Sequence, residues 1–285
     1  MPGTLFVVAT PIGNLEDISA RALRVLRDVS LIAAEDTRHT GHLLQRFGLT
    51  TRTTSFHEHT EKGKAAQLIE RLKSGESVAL VSDAGTPTIS DPGVHLVRLA
   101  REAGIRVEPV PGPSAAVAAL SASGFEAGEG YAFLGFPPIK GRDRRAWFDR
   151  VDELRQVVPV VIFYEAPHRL KATLAELRRK VGNVNCALAR ELTKLHEEIA
   201  IGTIDDMSTH EPRGEYTVVI ELGRTPVDGA EHSTVSASKL AEEFGEATNT
   251  LGMTRRQAIS SLSRKYGLQA RAVYAMLEEA KKSPV

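Results

Sequence analysis

A chain of 285 residues, 42% of them hydrophobic and 25% charged, is long enough for about two globular domains. Its 36 lysines and arginines balance 36 aspartates and glutamates, so no global field draws it to a polyanion and any nucleic-acid contact has to be a local patch. The lone Cys186 excludes an internal disulfide or a cysteine metal cluster; with no signal-like start and no apolar run near the roughly 20 residues of a membrane span, the chain reads as cytoplasmic, with no membrane partner.

From residue 1 to about 125, short β-rich runs alternate with helix-period segments, the pattern of parallel strands joined by crossover helices in a Rossmann-like α/β domain. Strands are expected at 5–9, 31–34, 78–81 and 107–110. Between them Ile18, Ala22, Val25, Leu26 and Val29 share one helical face, and Leu68, Ile69 and Leu72 share another. Four loops follow these strands: Thr10-Pro11-Ile12-Gly13-Asn14, Glu35-Asp36-Thr37-Arg38, Ser82-Asp83-Ala84-Gly85-Thr86-Pro87 and Pro111-Gly112-Pro113-Ser114. They fall at the strands' carboxyl ends, where open α/β sheets bind ligands.

Beyond Ser82, the residues Gly85, Pro87, Pro92 and Gly93 build a rigid turn whose backbone groups face outward. Asp83, at a strand end, is suited to a ribose diol or a cationic amino group, or else only organises the turn. Asp91 is expected to cap a helix starting at Pro92. Ser114 is a candidate N-cap for a helix that Gly124 ends, and Ala115, Ala116, Ala118 and Ala119 give it a narrow surface for a flat ligand or for close packing on the sheet. Neither Gly-x-Gly-x-x-Gly after a strand nor Gly-x-x-x-x-Gly-Lys-Ser/Thr occurs, which argues against a dinucleotide enzyme and a P-loop NTPase. His57 and His59 could share a strand face as metal ligands, but no third ligand matches them, so a polar loop is the simpler reading and no metal is expected. Cys186 reads as a small core residue.

Residues 126–224 form a second, α+β domain with antiparallel strands at 158–164, 185–190, 197–202 and 216–221 and a helix over 168–180; the last three strands read as a meander. A basic stretch, Lys140-Gly141-Arg142-Asp143-Arg144-Arg145, precedes them. Glu165, His168 and Arg169 crowd one strand end, and Arg190-Glu191-Leu192-Thr193-Lys194 follows the next; both groups suit either a functional site or structural ion pairs. Residues 225–236, rich in Gly, Pro, Ser and acids, read as a linker, and 237–285 as a basic helical extension. From 253 to 282, seven basic residues stand against Glu278 and Glu279. Helices over 254–266 and 269–280 around the turn Gly267-Leu268 make a helix-turn-helix pattern that suits phosphate backbones, or a solvated hairpin.

Taken together, Ala9-Thr-Pro-Ile-Gly-Asn-Leu15, Ala34-Glu-Asp-Thr-Arg38, Ser82-Asp-Ala-Gly-Thr-Pro87 with Ile89-Ser-Asp-Pro-Gly93, Pro111-Gly-Pro-Ser-Ala115, Tyr164-Glu-Ala-Pro-His-Arg169, Ala189-Arg-Glu-Leu-Thr-Lys194 and Gly214-Glu-Tyr-Thr217 resemble the tetrapyrrole-methylase superfamily. Within it they are similar to the branch that methylates small-subunit ribosomal RNA. The resemblance covers about residues 3–222, in order. It implies S-adenosylmethionine as methyl donor, a cytidine 2′-hydroxyl of 16S RNA in the small subunit as acceptor, and a homodimer. Carried over, Pro11, Asp83, Thr86, Ser114 and Ala115 line the cofactor pocket from the first domain, and Tyr164, Ala189 and Thr217 close it from the second. Where the superfamily often has Gly-Asp-Pro, this chain has Ser82-Asp83-Ala84.

For such a reaction the chain has to align donor and hydroxyl, exclude water and help remove one proton. Glu165, Lys194 and Asp36 are the acid–base candidates; Arg38, Arg169 and Arg190, with Arg255 and Arg256 of the extension, are the phosphate candidates. Two other readings stand: a methylase of a small tetrapyrrole, which leaves the basic segments without a task, and a non-catalytic nucleic-acid regulator reading DNA through the extension.

Overall fold

The computed structural model describes residues 1–57, 60–128, 130–211, 213–222, 237–249 and 253–266, and then 273, 274, 276–278 and 280. Two compact units divide the chain, Met1–Gly223 and Arg224–Val285. The expected linker at 225–236, the turn at Gly267-Leu268, and Glu58 and His59 lie outside the described residues.

In the larger unit, β1 (Thr4–Val8), β2 (Leu31–Ala34), β3 (Thr53–Ser55), β4 (Val78–Val81) and β5 (Arg106–Val110) form a parallel sheet in the order β3-β2-β4-β1-β5. Both faces are covered, so β2 and β4 are buried at every position and read as unbroken apolar runs. Along these strands alternate residues go to opposite sides. Val8, Ile32, Ala34, Ala79 and Val81 pack under α1 (Ala20–Asp28) and α2 (Thr37–Arg46); Leu5, Leu31, Ala33, Val78 and Leu80 pack under α3 (Glu61–Lys73) and α4 (Val94–Glu102). Ser19 caps α1 by accepting the N–H of Ala22, and Asp36 caps α2 by accepting that of Arg38.

Helix α4 departs from expectation. It starts at Val94 rather than Pro92, and Asp91 does not cap it. Its first amides are served instead by Glu61 of α3, whose Oε1 accepts the N–H groups of Gly93 (3.1 Å) and His95 (3.2 Å). Gly93 sits at φ +123°, with Leu80 and Thr88 so close that a Cβ there would stand 2.5 Å from Leu80 Cδ2. The Asp-Pro-Gly run therefore bends the chain one turn before the helix begins.

The same unit holds a second sheet. Helix α5 (Ala115–Ser123) leaves the first sheet and lays Ala116 and Ala119 on Val160, Ile162, Ala187, Ala189 and Val219, so its alanines serve close packing, and Gly124 ends it in the left-handed region. After β6 (Tyr131–Phe133) come α6 (Gly141–Leu154), β7 (Val160–Glu165), α7 (Pro167–Val181), β8 (Asn185–Arg190), β9 (Glu198–Thr203), the short α8 (Ile204–Met207) and β10 (Tyr216–Glu221). The order is β6-β7-β10-β8-β9, with β6 parallel to β7 and the other pairs antiparallel. The expected meander is thus replaced: β8 and β9 pair as neighbours, but β10 returns to lie between β7 and β8. Helices α6, α7 and α8 cover the face opposite α5, around Trp147, Phe163, Leu174 and Ile220. Cys186 is fully buried there, as expected for a core residue, and burial pushes its thiol up.

The smaller unit holds α9 (Ala237–Asn249) and α10 (Arg255–Tyr266), with Leu240, Leu262, Val273 and Leu277 as its core. Arg255 pairs with Glu278 at 3.0 Å and lies over the Tyr274 ring, 5.3 Å from its centroid. Arg256 lies on α10, where its side chain falls outside the described ones.

Candidate active site between the two sheets

The four strand-end loops are tied together at the carboxyl edge of the first sheet. Thr10 and Gly85 exchange backbone hydrogen bonds (2.8 and 3.1 Å), the Thr10 hydroxyl donates to the carbonyl of Ser82 (3.1 Å), and the Thr86 hydroxyl donates to the carbonyl of Pro113 (3.2 Å). At the second sheet, the turn after β8 carries Glu191 at φ +48° and Thr193 at φ +66°. It meets the first loop so closely that a Cβ on Gly13 would lie 2.5 Å from Lys194 Cγ and 2.7 Å from the carbonyl oxygen of Leu192. In the opposite wall stands Ser90 (φ +66°), two residues after Thr88 (φ +74°). All four non-glycine residues in the left-handed region among the described residues thus belong to loops that shape one cleft, a concentration typical of functional sites.

The cleft has a volume of about 490 Å³, within the range of small-molecule sites. Asp83, Thr86, Ser114 and Ala115 line it from the first sheet's loops; Tyr164, Ala189, Thr217 and Lys194 line it from the second sheet. These eight are sequence candidates that the fold brings together. Pro11 is buried, and its neighbour Ile12 forms the wall instead. Ser114 stands at the N-cap of α5 without a side-chain cap bond, and it lines the cleft. Tyr164 is braced by Phe133 and Phe136, with ring centroids at 4.9 and 5.3 Å. Its hydroxyl is held by the backbone of Ala116, and burial pushes its pKa above the usual tyrosine value.

One wall carries three carboxylates, of Glu35, Asp83 and Asp91. Asp83 Oδ1 accepts the N–H of Asp36 (3.0 Å), and Glu35 Oε2 accepts the N–H of Asp83 (3.3 Å), so both are aimed by backbone. Burial, with the negative charges of Glu35 and Asp83 beside it, pushes Asp91 up to about 6 against a hydrogen bond from Ser82. Apolar groups, including Ile12, Ile89 and Leu192, complete the surface. The cleft can therefore take a cationic group beside a flat apolar body.

Other candidates lie elsewhere. Asp36 is a helix cap, and the Arg38 side chain hydrogen-bonded to it at 2.7 Å holds its carboxyl well below the usual carboxylate range, which makes it a poor proton acceptor. Glu165 is wholly buried outside the cleft: it accepts from the Thr173 hydroxyl (2.6 Å) and the Ala166 N–H (2.9 Å) and pairs with Arg169 (3.1 Å). Arg169 spends its guanidinium on that pair and on the carbonyl of Pro137, and Arg190 is paired with Glu198 at 2.5 Å. Arg38 keeps an exposed side chain despite its bond to Asp36. The sequence did not single out Glu35 or Phe136, gave Asp91 the part of a helix cap, and left Glu191 open between a site and an ion pair. Glu35 had a usable signal, since it directly follows β2 at a strand's carboxyl end.

The sequence profile of the Tetrapyrrole (Corrin/Porphyrin) Methylases matches residues 4–208. Among curated relatives, "Ribosomal RNA small subunit methyltransferase I" of Pseudomonas aeruginosa is 50% identical over 231 residues, covering 79% of this chain and 80% of its own. The protein of the same name from Synechocystis sp. is 43% identical over 279 residues, covering 96% of this chain and 97% of its own. Among solved structures, uroporphyrin-III-C-methyltransferase from Thermus thermophilus aligns with a TM-score of 0.55 at 21% identity, over 78% of this chain and 94% of that one, a likeness of fold. A matching profile over most of the two-sheet unit, near full-length relatives and the shared fold agree: this chain belongs to the tetrapyrrole methylase family.

Proposed function

We propose that the protein transfers a methyl group from S-adenosylmethionine to the 2′-hydroxyl of a cytidine in 16S RNA of the small ribosomal subunit. The observation that carries this reading is the match to a relative named for small-subunit ribosomal RNA methylation over 96% of the chain, extension included. A methylase of a small tetrapyrrole has in its favour the description of the family and solved structures at 16–21% identity, which speak for fold alone. Homodimer formation and action in the cytoplasm belong to the same reading; no helix among the described residues is long and apolar enough to cross a membrane.

The residues of the cleft fit the donor. Its sulfonium and ammonium charges suit the wall of Glu35, Asp83 and Asp91, and its adenosine suits the apolar surface around Ile12, Leu192 and Ala189. Asp83, Thr86, Ser114 and Ala115 would hold it from one side, with Tyr164, Ala189 and Thr217 from the other. When bound, S-adenosylmethionine supplies a methyl already electrophilic on sulfur, so the new O–C bond forms as the S–C bond breaks and the hydroxyl proton must be accepted. Rigid loops fix the alignment and exclude water. Of the sequence candidates for the proton, Lys194 alone lines the cleft, but its ammonium is paired with Glu191 at 3.2 Å and suits orientation of an anionic group. Asp91, poised at about 6, is the better acceptor. Arg38 would reach RNA phosphate from the rim. Incubation with tritiated S-adenosylmethionine and undermethylated small subunits, followed by nucleoside analysis, tests the reading: label in 2′-O-methylcytidine supports it, and label absent from RNA refutes it.

A further inference from the structure

The cleft's second-sheet rim continues directly into a basic surface that the fold holds rigid. Phe136 lines the cleft, 46% exposed, and the chain next runs through Pro137, Pro138 and Ile139 to Lys140, where α6 begins. Two guanidiniums fasten this segment from beneath. Arg169, paired with the buried Glu165, donates to the carbonyl of Pro137. Arg144, itself buried, donates to the carbonyl of Pro138 (3.1 Å) and the hydroxyl of Thr173 (3.1 Å), pairs with Glu176 (3.3 Å) and lies over the Phe148 ring. Thr173 in turn donates to Glu165, which closes the network.

Network and surface divide the charges of α6 between them. Arg144 turns inward, whereas Lys140, Arg142 and Arg145 are exposed and stand in no ion pair among the described residues. Asp143 is the one acid between them. Four residues of fully extended chain span at most about 14 Å, so the Lys140 backbone lies within that reach of the Phe136 backbone, and Arg142 and Arg145 follow on the first five residues of α6. Ile139, 76% exposed, sits between. A protein of zero net charge that engages a polyanion needs such a local patch, and one fixed by a buried network loses little freedom on binding.

The geometry points to the start of α6 as the track for the substrate RNA strand, with Lys140, Arg142 and Arg145 contacting phosphates beside the nucleotide that enters the cleft past Phe136. This rests on the RNA-methylating reading above. It gives the Glu165–Arg169–Thr173–Arg144 network a positioning role for that track.

The test compares the full-length protein with K140A/R142A/R145A, and with R24A/R27A on exposed positions of α1 as the charge control. Binding to undermethylated small subunits is measured across salt concentrations, with tritium transfer from S-adenosylmethionine measured in parallel. Three lost phosphate contacts, at about 0.7 each for a single strand, flatten the log–log salt slope by about 2. We expect that change together with affinity at least tenfold weaker at low salt, an unaltered melting temperature, and a control that behaves as the parent. An unchanged slope and affinity in the triple variant, or an equal loss in the control, overturns the track. The binding arm decides this point alone; failure of the parent protein to transfer label counts against the methylation reading instead.

Discussion

Gly13 and Lys194, 181 positions apart in sequence, stand so close that a single added carbon on Gly13 would lie 2.5 Å from the Lys194 side chain. Leu192 and Thr193 stand at 2.7 Å from the same point, through a carbonyl and a hydroxyl oxygen. Two loops from different sheets thus meet at van der Waals contact, and that meeting sets the width of the cleft. Gly13→Ala should force them apart at an overpacking cost of about 1–3 kcal/mol, weakening cofactor binding by roughly 5- to 150-fold. Calorimetric titration with S-adenosylmethionine checks this. Unaltered affinity would mean that the loops yield freely and do not gauge the site.

Asp83 is aimed into the cleft by the backbone of Asp36. Asp83→Asn keeps the shape and removes the charge, so affinity for the cationic donor should fall by about 1.5–3 kcal/mol, or roughly 10- to 150-fold. Comparing S-adenosylmethionine with a neutral adenosine analogue reads out the charge effect: the analogue should lose little. Equal losses for both ligands would assign Asp83 to the turn.

Asp91 yields a pH prediction of definite sign. Its native pKa, about 6, lies above the ordinary 3.8, so the folded state takes up a proton that the unfolded state lacks as pH falls from about 6 toward 4. Ionised Asp91 therefore costs stability above about pH 6, and that cost is relieved below it. Asp91→Asn should raise the melting temperature more at pH 8 than at pH 4.5. A cationic ligand prefers the ionised form, so its affinity should rise through pH 6 in the parent and stay flatter in the variant. A melting-temperature gain independent of pH would contradict the assignment.

Glu165 makes the opposite kind of prediction. Glu165→Ala strands the half-buried Arg169 and frees Thr173, and removing one partner of such a buried pair costs about 3–5 kcal/mol. Chemical denaturation should show that loss, and Thr173→Val a smaller one. Glu165→Gln, which keeps the shape, should bind cofactor within about threefold of the parent at a temperature where it is folded. A methylation rate down a thousandfold in Glu165→Gln with cofactor and RNA binding intact would restore Glu165 as the proton acceptor.

Much of the fold was legible because buried parallel strands leave unbroken apolar runs: Leu31–Ala34 and Val78–Val81 appear where expected. Thr53–Ser55 carried no such signal, being three half-buried polar residues at a sheet edge, and Tyr131–Phe133 is equally short. Insertion of Tyr216–Glu221 between β7 and β8 is a non-local pairing, and local periodicity says nothing of it. At the site, strand-end position pointed to Asp83 and to the loop that ends in Ser114, and the resemblance to Thr217; all three line the cleft. Direction was the missing information. Glu165 ends a strand as Asp83 follows one, but its carboxylate turns inward to Thr173 and Arg169. Asp91 precedes Pro and Gly as a helix cap would, and a glutamate 30 positions earlier took that role.

A crystal structure grown with S-adenosylhomocysteine tests most directly whether the cleft between the sheets holds the donor. The account predicts the ligand in that cleft, in contact with Asp83, Ser114 and Thr217, with its sulfur open toward the Phe136 rim. Ligand bound elsewhere, or a cleft filled by its own side chains at saturating ligand, would contradict it.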